Sequence, residues 1–242
     1  MQLDDKQLKQ FREDGFLLLR NFATQERCAK ILQAATQHIE HQVAPVETEG
    51  EYNLTSNTTL RRLRQVYGRD ELFQKWMREP KIRGILEQVL DDTPILTLAH
   101  HNSIMTKMPH RSTETCWHQD KRYWSFQNDN LVSVWLALDS EHADNGVLKF
   151  IPASHKIDFE PKCFDERDCF CPKSSKNQEL IKTAMQYDLD AGDIVIFHCR
   201  TLHYATQNFT DKPKISFVYT VRGRQNLPIE GTRSATYDEI EL

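Results

Sequence analysis

Through the first ninety residues, apolar side chains sit three or four positions apart, the spacing of one helix face. From about residue 95 they alternate or cluster in short runs of strand type. Asp4 and Asp5 precede Leu8 and Phe11, and Gly15 follows as a stop signal, so a helix is predicted there. Residues 16–20 (FLLLR) form a short apolar run that predicts a strand. Thr24 can cap a second helix through about Ile39, with Cys28, Ile31, Leu32 and Ala35 on its apolar side. Two shorter helices are predicted at 71–78 and 81–90, split by Pro80. Strands are predicted at 95–108, 131–138, 147–151, 194–198 and 215–221, each rich in β-branched or aromatic residues. Asn145-Gly146, between two of these runs, predicts a tight hairpin. The charged, Cys- and Ser-bearing stretch 158–182 reads as a long loop or lid.

Helices gathered in front and strands behind define an α+β protein whose strands can close into a two-sheet barrel. One domain over 1–242 is expected: a mainly helical part (1–92), a barrel (93–225) and a C-terminal tail (226–242). Composition changes this picture little. A sum of 31 Lys+Arg against 35 Asp+Glu, net −4, argues against a dedicated nucleic-acid binder. No apolar run approaches a membrane span, and the amino terminus has neither the basic patch nor the apolar stretch of a secretory signal. A soluble cytoplasmic protein is therefore expected. The six cysteines form no CxxC pair, and in that compartment they are expected to be reduced and structural.

One histidine cluster carries chemistry. In an extended segment, residues i and i+2 share a face, so His118 and Asp120 of Trp117-His-Gln-Asp120 converge on one point. They make two legs of a metal site, though an isolated HxD is weak evidence. Eighty-five residues after His118, the stretch Gly192-Asp-Ile-Val-Ile-Phe-His-Cys-Arg-Thr-Leu-His203 reads as a buried strand running into a His-bearing turn. A second imidazole from it completes two His and one carboxylate on one side of a metal, leaving adjacent positions open as non-haem Fe(II) oxygenases require. On spacing alone His198 and His203 compete for that place.

Several motifs in order resemble the phytanoyl-CoA dioxygenase family of Fe(II)/2-oxoglutarate-dependent oxygenases. They are Phe11-Arg-Glu-Asp-Gly-Phe-Leu-Leu-Leu-Arg20, Trp117-His-Gln-Asp120 with Tyr123, Val134-Trp-Leu-Ala-Leu-Asp139, residues 145–156 (NGVLKFIPASHK), and residues 192–198 (GDIVIFH) followed by His203 and Asn208. The resemblance covers nearly the whole chain. It implies a double-stranded β-helix (jelly-roll, cupin-like) barrel backed by helices. It further implies iron held by His118, Asp120 and His203, 2-oxoglutarate as cosubstrate, and O2. The activity implied is oxidation of a small-molecule substrate, with release of succinate and CO2. The carboxylate at Asp120 favours hydroxylation or a related oxidation, since halogenating relatives need a small residue there.

One departure concerns the cosubstrate anchor. Eleven residues after the distal histidine the family places an arginine, and here Lys214 stands, a point charge rather than a two-pronged donor. Lys214 is expected to hold the distal carboxylate with a hydroxyl neighbour such as Thr206. Lys212 is a weaker candidate and Arg222 a fallback. Trp135 matches the family tryptophan beside the cosubstrate. Alternation from His101 puts Ser103, Met105 and Lys107 on one face, opposite the iron. Tyr123, Arg122 and Arg64 are further substrate-pocket candidates, with Lys107 and Arg222. Two other readings of the same barrel are a divalent-metal hydrolase or isomerase without O2 chemistry, and a non-catalytic binding protein. The sequence does not name the substrate: family members oxidise acyl-CoA thioesters, amino acid derivatives, terpenoids and phosphonates. The 158–182 loop, mixed in sign, selects among none of them.

Overall fold

A computed structural model describes residues 1–242. Helix α1 (Asp5–Asp14) starts at Asp4, whose carboxylate accepts from Gln7 N, and ends at Gly15. There the backbone enters the left-handed region at φ 84°, and a Cβ would lie 2.3 Å from His155 Nδ1 and 2.6 Å from Thr201 Oγ1. Only glycine suits that turn, and it lets the Gly15 carbonyl accept from His198 N and Thr201 Oγ1, each at 2.8 Å. Strand β1 (Phe16–Leu19) follows, then α2 (Gln25–Glu40), capped by Thr24 as its sequence predicts. Pro80 occupies the first turn of α5 (Pro80–Leu90) after α4 (Glu71–Met77), where its missing N–H costs nothing.

Between α2 and α4 the predicted helical character gives way. Strand β2 (Val46–Thr48), helix α3 (Glu49–Asn53) and strand β3 (Leu60–Arg64) extend the major sheet. The run Leu60-Arg-Arg-Leu-Arg64 is too short and too charged to have signalled a strand, yet its pairing with β4 (Pro94–Lys107) is regular, with Arg64 opposite Ser103 and Arg62 opposite Met105.

The remaining strands are β5 (Thr115–His118), β6 (Leu131–Ala137), β7 (Leu148–Phe150), β8 (Met185–Gln186), β9 (Ile194–His198), β10 (His203–Ala205), β11 (Lys214–Gly223) and β12 (Glu239–Glu241). The major sheet runs β1-β9-β6-β11-β4-β3-β2, and the minor sheet β5-β10-β7-β8. β6 and β7 therefore lie in different sheets, and Asn145-Gly146 turns the chain between sheets instead of closing the predicted hairpin. In the C-terminal tail, β12 pairs with β4 at residues 95–97. The 158–182 segment contains helix α6 (Ser175–Ile181) and an apolar cluster of Phe164 and Phe170 with Trp117. No helix is long and apolar enough to cross a membrane.

The main core, 31 buried residues, lies between the helices and one face of the major sheet. Phe73 of α4 meets Phe217 of β11 edge to face at 5.6 Å, and Trp76, Leu86 and Ile104 fill around them. A second cluster including Trp135, Phe150, Phe197 and Val218 packs between the two sheets. Beside it the sheets leave a cavity of about 450 Å³.

The expectation that all cysteines are reduced fails at one pair. Cys116 and Cys169 form a disulfide with Cα atoms 5.7 Å apart, tying β5 to the 158–182 segment, while Cys28, Cys163, Cys171 and Cys199 are free. Fifty-three residues separate the two, so linear spacing carried no sign of the pairing.

Candidate metal centre and its cavity

Pairing between β5 and β10 places His203 directly opposite His118. Cross-strand partners share a face, and the two imidazoles lie with centroids 4.1 Å apart. The strand stops at His118, and Asp120 opens a 3-10 turn (Asp120–Tyr123) that swings its carboxylate back. Asp120 Oδ1 is 3.7 Å from Nε2 of both histidines, and the three donor groups lie within 4.8 Å of one another. His198 points elsewhere, toward His155, and its Nδ1 accepts from Arg200 N.

The second nitrogen of each imidazole fixes what the first can do. His118 Nδ1 lies 2.8 Å from the Cys116 carbonyl and His203 Nδ1 3.0 Å from that of Thr201. A carbonyl only accepts, so each Nδ1 carries the proton and each Nε2 turns a lone pair to Asp120 and the cavity. Burial, with the neighbouring imidazole, pushes His118 down to about 3 against a partial offset from Asp120, and burial pushes His203 down to about 4. Both are neutral donors at physiological pH. Two imidazole nitrogens and one carboxylate oxygen, with open space on one side, fit a divalent iron.

Sequence reasoning missed His101. Between Thr97, paired with Thr220, and Asn102, paired with Tyr219, strand β4 carries four residues with no partner on β11. This bulge turns His100 and His101 to the cavity. His101 Nε2 approaches Asp120 Oδ1 to 3.6 Å and its Nδ1 lies 3.2 Å from Ser133 Oγ, while Ser133 Oγ is 3.1 Å from Asp120 Oδ2. Ser133 thus braces Asp120 at Oδ2, while His101 Nε2 stays beyond hydrogen-bond distance of Oδ1.

The residues predicted for the cosubstrate divide into two groups. Lys214, Trp135, Ser103 and Met105 line the cavity, as do Lys107, Tyr123 and Arg64 from the substrate set. Thr206 does not: its hydroxyl lies among the backbone carbonyls of Ala143 and Gln207. The hydroxyl beside Lys214 is Ser216, at 3.4 Å. Arg222 is also corrected, because its guanidinium clasps Glu239 of β12 at 2.5 and 2.8 Å and lines no part of the cavity. Arg122 pairs with Asp168 at 2.6 Å and stacks on Phe164, fastening the 158–182 segment instead of lining the pocket.

A second unpredicted residue, Glu141, is fully buried. It accepts from Trp135 Nε1 (3.0 Å), Ser216 Oγ (2.6 Å) and Lys214 Nζ (3.1 Å), and the Lys214 ammonium sits 4.9 Å from the centre of the Trp135 ring. Lys107, directly opposite Lys214 in the β4–β11 ladder, has no such carboxylate; its Nζ donates to Thr113 O (2.5 Å) and Thr115 Oγ1 (3.3 Å). Burial, then the charges of Arg61 and Lys214, push Lys107 down to about 7.

A family model described as phytanoyl-CoA dioxygenase (PhyH) matches residues 11–216. Among curated proteins, ectoine dioxygenase of Bordetella bronchiseptica is 21% identical over 240 residues, covering 93% of this chain and 77% of that one. Phytanoyl-CoA dioxygenase domain-containing protein 1 of Rattus norvegicus is 21% identical over 266 residues, covering 90% and 89%. Among solved structures, EctD from S. alaskensis with 2-oxoglutarate and 5-hydroxyectoine superposes with a TM-score of 0.78 at 17% identity, covering 94% of this chain and 78% of that one. The epimerase SnoN in complex with Fe3+, alpha ketoglutarate and nogalamycin RO gives 0.77 at 19% identity, covering 93% and 85%.

Proposed function

Since the chain belongs to the phytanoyl-CoA dioxygenase family, we propose that it is an Fe(II)- and 2-oxoglutarate-dependent dioxygenase. In this reading it oxidises a small-molecule substrate and releases succinate and CO2. The observation that carries the reading is the convergence of His118, Asp120 and His203, with both Nε2 lone pairs turned to the cavity by Nδ1 bonds to backbone carbonyls. When bound there, iron with 2-oxoglutarate supplies the activation of O2, chemistry no side chain offers.

The chain's own part is to bind, orient and shield. His118, Asp120 and His203 hold the metal, and Ser133, itself bonded to His101, keeps the Asp120 carboxylate from rotating. Lys214 and Lys107, facing each other across two strands, take the distal carboxylate of 2-oxoglutarate. Glu141 already neutralises Lys214 and fixes its ammonium, so Lys107 is the charge a bound carboxylate balances. Trp135, held through its N–H by Glu141, walls the same end with Val218 and Leu148 and excludes water. We keep the cytoplasm as the location, where the Cys116–Cys169 bond meets a reducing thiol pool; fractionation of cells expressing the chain tests that part.

The test of the activity is succinate formation from 2-oxoglutarate without added substrate. It is expected with Fe(II), absent with Zn(II) and lost in His118→Ala. Turnover of some other substrate with Zn(II) and none of 2-oxoglutarate with Fe(II) would point to the hydrolase or isomerase reading of the same ligand set.

A further inference from the structure

The protein as a whole is acidic, at −4, yet seven lysine or arginine side chains line the cavity against three carboxylates. One of the three, Asp120, belongs to the metal centre. Three of the cations are matched within the wall: Arg61 by Glu49 at 3.2 Å, Arg62 by Glu47 at 2.6 Å and Lys214 by Glu141 at 3.1 Å. Lys107 sits at the buried end assigned above to the cosubstrate. Arg64, Arg167 and Arg233 remain, each lining the cavity and none in an ion pair.

Two of these three are brought together by the fold. Arg64 ends β3 opposite Ser103, on the cavity side of β4. Arg233 comes from the C-terminal segment, where the adjacent Ser234 is buried and fastened, its Oγ 2.8 Å from His100 Nε2 and accepting from Ser125 N at 2.9 Å. β12 then closes the segment onto β4. Burial, then the like charge of Arg64, lower the Arg233 guanidinium below the usual arginine range. Glu51, the remaining carboxylate on this side, has Oε2 committed to Thr48 N and Oγ1. Neither guanidinium makes an ion pair, and Glu47 offsets the charge on Arg233 only in part, so an anion placed between the two gains charge-assisted hydrogen bonds from both. Arg64 is half-buried and Arg233 exposed, while Lys107 and Lys214 are buried, so the two arginines form the outer part of the cavity.

We propose that the primary substrate is an organic anion whose carboxylate or phosphoryl oxygens are held by Arg64 and Arg233 in the outer part of the cavity. This rests on the oxygenase reading, which assigns the inner end to 2-oxoglutarate. It also gives the C-terminal segment a role in choosing the substrate.

The test uses the full chain loaded with Fe(II) under anaerobic conditions and saturated with 2-oxoglutarate. Acetate, methylphosphonate and neutral acetamide are titrated at constant ionic strength, with binding read by calorimetry. Both anions are expected to bind at least about tenfold more tightly than acetamide, an increment of the size of one charge-assisted hydrogen bond. The tighter of the two identifies the oxyanion the site prefers. Arg64→Gln and Arg233→Gln are each expected to weaken the anions about fivefold or more and leave acetamide unchanged, with Arg233→Lys falling between. Acetamide binding as tightly as acetate, or anion affinity unmoved in both glutamine variants, overturns the proposal. If 2-oxoglutarate itself does not bind the iron-loaded wild type, the oxygenase reading has failed, and that is visible before any probe is added.

Discussion

Strands β4 and β11 present two faces with opposite chemistry. Toward the helices they turn Ile104, Phe217, Tyr219 and Val221, packed against Phe73 and Trp76. Toward the cavity they turn His101, Ser103, Lys107, Lys214 and Ser216, almost all buried as well. Burial on the first face stabilises the fold directly. On the second it is unfavourable unless each polar group finds a partner, and most do: Lys214 and Ser216 on Glu141, and His101 on Ser133. Among the charges left without an ion pair around the cavity are Lys107 and, from β3 and the C-terminal segment, Arg64 and Arg233, beside the two Nε2 lone pairs. The difference teaches where to look for ligands: unpaired charge and open lone pairs collect on the cavity side and not on the helix side.

Substitutions on the two faces should therefore fail in different ways. The largest effect is expected for His118→Ala, which removes a metal ligand from the cavity face. Iron-dependent succinate release should fall about a thousandfold or more, equivalent to the several kcal/mol a bound metal contributes, while urea unfolding stays close to wild type. Phe217→Ala, on the other face of the same sheet, should do the reverse, lowering stability by about 3–5 kcal/mol in a urea titration. Glu141→Ala tests whether matching on the cavity face matters for the fold. It strands a buried ammonium and should also cost about 3–5 kcal/mol. The Glu141→Met, Lys214→Met double variant should recover most of that stability but not the affinity for 2-oxoglutarate.

How much of this was legible in the sequence differs by face. The helix-side pattern was, because apolar periodicity is a local signal: α1, α2 and the long strands fall close to where spacing puts them. His118 and Asp120 were legible as a local pair two residues apart, although the strand ends at His118 and Asp120 itself opens a 3-10 turn. The match between His203 and His118 is a property of register, and resemblance, not spacing, pointed to it. Glu141 could not be found, since one glutamate after Asp139-Ser140 looks like any turn residue. His101 shares the face that alternation gave Ser103, Met105 and Lys107, so its place at the cavity was legible; its bond to Ser133 beside Asp120, which joins distant strands, was not. Arg233 and the Cys116–Cys169 pair depend on distant segments folding back, and nothing local announces that.

Smaller effects sharpen the contrast further. Cys116→Ser opens a cross-link spanning 53 residues and should lower stability by about 2–4 kcal/mol by differential scanning calorimetry. Lys107→Met should weaken 2-oxoglutarate by about tenfold, the size of one charge-assisted hydrogen bond. Its sharper signature is protonic. A lysine pushed down to about 7 is largely neutral above that pH, and a carboxylate placed beside it favours the charged form and raises it. Binding should thus take up a proton above pH 7, so affinity falls as pH rises. Calorimetry in buffers of different ionisation enthalpy should show that uptake in wild type and not in Lys107→Met. In the protein without 2-oxoglutarate the linkage runs the other way: the unfolded chain holds this proton up to the ordinary lysine range, so folding stability should rise from pH 7 toward 10.

The most direct measurement is an anomalous-scattering crystal structure of the protein loaded anaerobically with Fe(II) and 2-oxoglutarate. The iron peak should lie between His118 Nε2, Asp120 Oδ1 and His203 Nε2, with the distal carboxylate between Lys107 and Lys214 and the Arg64–Arg233 side left free. Iron bound elsewhere, or a cosubstrate whose distal carboxylate sits on Arg64 and Arg233, would contradict the account.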